Sequence, residues 1–336
     1  MHKIFRLFAC NRPVRGACKS ILCDLQRAQY YPIPLQLFEI LTVHQGLSVL
    51  AIKALYPVDQ SKTIEGYFAF LISEELGFWL QEDAEHFPDL DLGYEHPERI
   101  NNAVIDIGAE SRHDFASLFA QLDELDCSHV ELRCYEAMSL TALDALLQPT
   151  LLGRLRSIEL LLRYDASLRQ NDLVALCKTH QRIARVTVYG APQASRVEYG
   201  GWTLTHVTPV VHPAHDCGQI HSAYFSVNTD VFTEAQHFNT CLNKKVGIDV
   251  QGNIKNCPSC QHCYGQLAPA ALAKAVAQPE FQAVWHINKD QVEVCCDCEF
   301  RYICTDCRVF LVDPGNALSK PAHCQYDPYT GVWGKR

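Results

Sequence analysis

Seventeen of the 336 residues are cysteine, and ten of them (Cys241, Cys257, Cys260, Cys263, Cys295, Cys296, Cys298, Cys304, Cys307 and Cys324) fall in the last 96 residues. The run Cys295-x2-Cys298-x5-Cys304-x2-Cys307 delivers four thiols within thirteen residues, and Cys324 follows seventeen residues later. Short Cys-x2-Cys knuckles bring two sulfurs to one metal centre, which suits tetrahedral zinc and an iron–sulfur cluster equally well. Further upstream, Cys241 and Cys257 bracket the alternating Val246, Ile248 and Val250, the turn Gln251-Gly252-Asn253 and a return at Ile254. That pattern predicts a hairpin that carries the second thiol back toward the first. Seven thiols (Cys241, Cys257, Cys295, Cys298, Cys304, Cys307 and Cys324) nearly fill two four-thiolate sites, with Cys217, Cys260, Cys263 or Cys296 available as the eighth. Cys296 reads as a neighbour of a site, because adjacent thiols rarely both point at one centre.

The remaining composition bounds what such sites could serve. A hydrophobic share of 48% allows a sizeable buried core, and a formal net charge of -9 gives no overall positive field for nucleic acid or an anionic membrane surface. The first eight residues, Met1 to Phe8, lack the apolar core of a signal peptide, and no run approaches the ~18 apolar residues that span a bilayer. The expected location is therefore the cytoplasm, where disulfides do not persist and a dense cysteine group binds metal instead.

The elements that must position these thiols read as an α/β multidomain chain. Residues 1–90 hold a hairpin (Ser20 to Leu25, then Tyr30 to Ile33) followed by three helices. The first carries Leu37, Phe38, Ile40 and Leu41, and the second is capped by Ser48. The third has Ile64, Phe68, Leu71, Ile72, Leu76 and Trp79 at helical spacing. Residues 83–99, with prolines and many carboxylates, read as a linker. Residues 91–210 alternate strand and helix: strands at Ala103 to Ile107, His129 to Cys134, Ser157 to Arg163 and Arg185 to Tyr189 are separated by helices at Phe115 to Leu125, Leu140 to Leu147 and Asp172 to Thr179. Such alternation implies parallel strands with right-handed crossovers, and four strands make an open or partial barrel. Residues 211–336 form the cysteine-rich third part.

The spacing Cys-x10-Gly-x4-Cys, then Cys-x2-Cys-x5-Cys-x2-Cys, then a final Cys resembles the SPASM domain, the auxiliary iron–sulfur module of many radical SAM peptide-modifying enzymes. The usual last spacing is x3, and here Cys304 to Cys307 is x2. Further segments that carry the resemblance are Pro13-Val14-Arg15-Gly16, Ile21-Leu22-Cys23-Asp24-Leu25-Gln26-Arg27, Gly252-Asn253-Ile254-Lys255-Asn256-Cys257-Pro258-Ser259, Cys298-Glu299-Phe300-Arg301-Tyr302-Ile303-Cys304-Thr305-Asp306-Cys307-Arg308 and Asp327-Pro328-Tyr329-Thr330. Across essentially the whole chain these are similar to the SPASM-domain peptide maturases of grasp-with-spasm systems. The resemblance implies a winged-helix-like leader-binding element at 1–90, a degenerate radical SAM-like partial (β/α) barrel at 91–210 and a SPASM iron–sulfur domain at 211–336. It also implies two [4Fe-4S] clusters. Cys295, Cys298, Cys304 and Cys324 would hold one. Cys241, Cys257 and Cys307 would hold the other, with Cys217 as the first choice for its fourth ligand and Cys260 as the second. The implied partners are a precursor peptide, bound through its leader, and a separate ATP-grasp ligase.

Radical SAM chemistry needs Cys-x3-Cys-x2-Cys after the first barrel strand, so that three thiolates leave one iron open. Gly108-Ala109-Glu110-Ser111-Arg112 stands there instead, and Cys10-x7-Cys18-x4-Cys23 does not substitute. Cys134-Tyr135-Glu136 replaces the Gly-Gly-Glu expected after the second strand. Homolytic SAM chemistry is disfavoured and no SAM is expected. Phosphate-binding loops, nucleophile elbows and zinc-protease motifs are absent too. His206, His212 and His215 read as loop histidines, and Asp106 and Glu131 could line a barrel mouth without an assigned catalytic role. Three readings stay open: an iron–sulfur peptide maturation protein, a redox enzyme that modifies the peptide through an open cluster, and a zinc scaffold.

Overall fold

The alternating segment Ser20 to Asp24 forms a strand whose five residues are all buried, because each of its faces meets a different core. The structure, a computed structural model, describes residues 3–80, 87–212 and 216–334. Part of the expected linker and His215 lie outside the described residues; residues 87–101 carry no helix or strand. The chain divides into two compact units, each assembled from separated stretches: residues 1–94, 218–240 and 287–336 in one, and residues 95–217 and 241–286 in the other.

In the first unit β1 (Ile4–Leu7) pairs antiparallel with β5 (Gly77–Leu80), and β2 (Asn11–Arg15), β3 (Ser20–Asp24) and β4 (Gln29–Ile33) form an antiparallel sheet in that order. The expected hairpin is β3–β4. Its turn is held by Asp24, whose Oδ1 accepts from the backbone N–H groups of Gln26 (3.2 Å) and Arg27 (2.9 Å). Three helices follow, α1 (Leu35–Thr42), α2 (Val49–Ala54, with the Ser48 side chain accepting from Ala51 N–H) and α3 (Ser61–Ser73). The helical spacing in the sequence runs on past α3, but Glu75 takes a φ of 54° and turns the chain, so Trp79 stands in β5. Side-chain alternation along β3 sends Leu22 toward Ile64, Phe68 and Leu71, and sends Ile21 and Cys23 toward Ile220, Phe232, Phe300, Ile303 and Tyr326. The amino-terminal sheet and the carboxy-terminal segment therefore share a core.

The second unit is built on an eight-stranded open sheet. Its centre is β6 (Asn102–Ile107), β7 (His129–Cys134), β8 (Ser157–Arg163) and β9 (Ile183–Tyr189), all parallel, interleaved with α4 (Phe115–Glu124), α5 (Leu140–Leu147) and α6 (Gln170–Thr179). β10 (Ser195–Tyr199) and β11 (Trp202–Val207) extend it beyond β9, and β12 (Lys245–Ile248) and β13 (Ile254–Lys255) extend it beyond β6. β11 and β12 are parallel to their inner neighbours, while β10 and β13 close the edges antiparallel. The sequence reading assigned four strands here. It expected β12–β13 as a hairpin but not as part of this sheet, and it did not assign β10 and β11, because a short strand gives no local sign of the distant strand it pairs with.

Alternation divides the sheet into two faces. Ala103, Ile105, Ile107, Val130, Leu132, Cys134, Val246 and Ile248 join the helices in one apolar core. Asp106, Glu131, Arg133, Lys245 and Gly247 take the opposite face. Among the described residues no helix is long and apolar enough to cross a membrane.

Candidate metal-thiolate centres

The hairpin β12–β13 does what the spacing of Cys241 and Cys257 requires. Its register is Gly247 opposite Lys255 and Ile248 opposite Ile254. Asp249 fixes the turn: its carboxylate accepts from the backbone N–H groups of Gln251 (3.0 Å) and Asn253 (2.9 Å), the Asn253 side chain (2.8 Å) and Lys255 Nζ (2.9 Å). Burial works against this carboxylate, but the bonds from Asn253 and Lys255 outweigh it and hold its pKa below the ordinary value. Beyond β13 the chain folds over the polar face of β12. A Cβ on Gly247 would lie 2.5 Å from Pro258 Cδ and 2.6 Å from the Cys257 carbonyl carbon, so this approach requires glycine.

Four thiols gather here within one unit. Cys217 and Cys260 both hydrogen-bond to the Cys257 sulfur, which draws its pKa well below that of a free thiol and pushes theirs up. Lys245 Nζ donates to Cys241 Sγ at 3.8 Å. Burial disfavours the Lys245 charge, yet the Cys241 and Cys257 sulfurs, with Glu131, more than offset this and raise its pKa. On the same face, at the carboxyl ends of β6 and β7, Arg133 Nε donates to Asp106 Oδ1 at 2.6 Å and Tyr135 donates to the same oxygen at 3.3 Å. Arg133 is held charged by Asp106 against the penalty of burial. Its Nη2 is buried without a partner. Burial raises the Glu131 carboxyl, opposed by Arg133 and Lys245. In open α/β sheets the carboxyl ends of the strands are where ligands bind.

The second group belongs to the other unit. A single 3-10 turn, Cys295–Asp297, with Cys298 N–H donating to the Cys295 carbonyl at 3.0 Å, makes the first Cys-x2-Cys knuckle. Cys295, Cys298, Cys304 and Cys324 lie within electrostatic reach of one another. Burial pushes the Cys295 thiol to about 11, against the pull of Lys289, and raises Cys298 and Cys304 as well. Lys289 is only 4% exposed and donates to Cys304 Sγ at 3.5 Å. Its pKa is raised: burial disfavours the charge, and Cys304 and Asp306 more than compensate.

Cys307, expected with Cys241 and Cys257, is buried against Gly218. A Cβ on that glycine, whose φ is +75°, would meet the Cys307 sulfur at 2.7 Å. Cys263 and Cys296 are exposed. Cys23, Cys127, Cys134 and Cys177 are buried core thiols pushed by burial to about 12. His206 bonds to Ser195 Oγ at 3.0 Å across β10–β11. Among the described residues no three His, Cys, Asp or Glu side chains stand in the arrangement of a single metal ion.

The donor chemistry fits metal-thiolate groups. Each set of thiols has a lysine ammonium against one of its sulfurs, and an ammonium at this depth needs anions around it. Sequence reasoning missed Lys245, Lys289 and Arg133. The available signal was a charged residue inside an apolar strand for Arg133, and position within the cysteine-rich segment for the two lysines.

No family model matches the chain, and no curated protein matches it in sequence. Two solved structures of Streptococcus suis SuiB are similar at 11% identity over 96% of this chain. One, bound to S-adenosylmethionine, is covered over 100% of its length with a TM-score of 0.31. The other, bound to the precursor peptide SuiA, is covered over 98% with a TM-score of 0.36. Scores of this size assign neither family nor function.

Proposed function

We propose that the chain is an iron–sulfur protein acting in the maturation of a ribosomally made peptide. Cys217, Cys241, Cys257 and Cys260 form one four-thiol centre, and Cys295, Cys298, Cys304 and Cys324 form the other. The observation that carries the reading is the pairing of each thiol set with its own lysine, Lys245 or Lys289. A bound [4Fe-4S] cluster would supply one-electron transfer. The chain's own residues hold the charge: Lys245 and Arg133 face the first centre and Lys289 the second.

The first unit takes the precursor. β4 is the outermost strand of its sheet, and an extended leader could add to it. A groove of about 530 Å³ between α2, α3 and β5, lined by Leu50, Phe68, Ile72 and Trp79, offers apolar pockets. It lies away from β4, since Phe70, which packs on Tyr31, alternates around α3 with Phe68 and Ile72. The implied ATP-grasp ligase would act on the captured peptide.

Iron, acid-labile sulfide and zinc content of the anaerobically purified chain tests the metal reading. Iron with sulfide in near-equal amounts is expected, and zinc without sulfide overturns it. For the peptide, leader affinity is compared between wild type, Leu50→Asp with Ile72→Asp, and Tyr31→Ala. Point variants are needed because removing residues 1–90 would strip β3 from the core that holds Ile220, Phe300 and Tyr326. Unchanged affinity in both sets refutes capture by this unit.

A further inference from the structure

Two cations and one carboxylate are buried together beside the Cys295, Cys298, Cys304 and Cys324 group. Arg308 Nη2 donates to Asp306 Oδ1 at 2.5 Å, and both side chains are nearly inaccessible, at 3% and 1%. Asn239 Nδ2 donates to the other oxygen, Asp306 Oδ2, at 2.9 Å. Lys289 Nζ is 3.9 Å from Asp306 Oδ1, a carboxylate already engaged by Arg308 and Asn239, but only 3.5 Å from Cys304 Sγ. The other buried carboxylate of the cluster region, Glu299, is taken by Tyr326 and by Lys19 at 3.9 Å. One carboxylate shared by two buried cations leaves the group one positive charge in excess, and the Cys304 sulfur is nearer to Lys289 than that carboxylate is.

We propose that Lys289 is the internal counter-ion of the metal-thiolate group on Cys295, Cys298, Cys304 and Cys324, and that its charge sets the group's reduction potential. This rests on the iron–sulfur reading above. A buried cation at van der Waals range of a ligand sulfur attracts the extra negative charge that arrives with an electron, in surroundings where water screens little. Taking that cation away leaves the oxidised group favoured. Lys289 acts through the ligand sulfur, so it is a positioning and tuning residue with no direct role in chemistry. Asp306 moderates it, and Arg308 keeps Asp306 from cancelling it.

The test compares the full chain with Lys289→Met, which keeps the length of the side chain and removes the charge, and Lys289→Arg, which keeps the charge. Each is loaded anaerobically and titrated with dithionite, which supplies one electron per cluster, under EPR observation with iron and sulfide measured in parallel. Lys289→Met is expected to lower the equilibrium constant for reduction of one of the two signals at least tenfold, a shift of ~59 mV to more negative potential for a one-electron couple. Lys289→Arg is expected to stay close to wild type. If Lys289→Met loses iron and Lys289→Arg retains it, the charge is needed for assembly and the proposal stands. An unchanged potential in Lys289→Met at full iron content overturns it, and so does equal loss of iron in both variants, because packing and not charge is then what matters. Absence of iron and sulfide from the wild-type chain refutes the iron–sulfur reading instead, and is seen before any variant is made.

Discussion

Gly247→Ala places one methyl group where the fold has no room for it. The added carbon would stand 2.5 Å from Pro258 N and Cδ and 2.6 Å from the Cys257 carbonyl carbon, against ordinary contacts of about 3.5–4.0 Å. The obstructing atoms are backbone and a proline ring, so a rotamer change cannot relieve the clash. Cys257 and Pro258 must move outward by ~1 Å, and overpacking of this kind costs about 1–3 kcal/mol. Removing glycine's conformational freedom in a strand returns less than ~1 kcal/mol. For a unit of this size each kcal/mol lowers the thermal midpoint by roughly 2–4 °C, so a drop of several degrees is expected. On the proposed two-centre reading, iron at the Cys257 centre should fall while the centre near Lys289 keeps its own, leaving about half the wild-type iron. Differential scanning fluorimetry and iron analysis read the two effects. Gly66→Ala in α3 is the control, since nothing lies within 4 Å of its Cβ position and it should be neutral or stabilising. A Gly247→Ala chain with wild-type midpoint and wild-type iron would refute the claim that glycine is needed there.

Asp106→Ala leaves the Arg133 guanidinium buried without its carboxylate, and should destabilise the second unit by about 3–5 kcal/mol in urea unfolding; a loss under 1 kcal/mol would mean water reaches Arg133. Asp249 has a depressed pKa when folded, so its contribution is complete above the unfolded carboxylate pKa of ~3.9 and is lost as pH falls through the lower folded value. Asp249→Asn should therefore narrow its stability gap to wild type as the solution is acidified through that window, and a gap constant with pH contradicts this. In native alkylation followed by mass spectrometry, Cys18, Cys263 and Cys296 should react first and Cys23, Cys127, Cys134 and Cys177 only after unfolding. Early labelling of Cys134 would place it outside the sheet core.

Local signals were enough wherever a residue's role depends on its near neighbours in the chain. The β3–β4 hairpin, the three amino-terminal helices and the four central strands follow from side-chain period and turn chemistry, and the structure forms each of them. Gly252 in the predicted turn likewise closes the β12–β13 hairpin at φ +83°. The thiol count and spacing were enough to expect two metal-thiolate sites, without deciding the metal or which thiol serves which site. Core thiols such as Cys23 and Cys134 were separable from those sets because they lie on apolar strands.

Long-range pairing was a different matter. β12 joins β6 across more than a hundred residues, and β3 has a second face against Ile220 and Phe300, and neither leaves a trace in a local window. The same holds for charge. Lysine at 245 or 289 reads as a surface residue in sequence, because a side chain's solvation is set by what folds around it, not by its neighbours in the chain. The sequence by itself determined which residue types could bind metal and which segments would be strand or helix. Only the tertiary structure decided that Cys257 lies over a glycine, that Cys217 and Cys260 both reach it, and that a buried ammonium stands against Cys304.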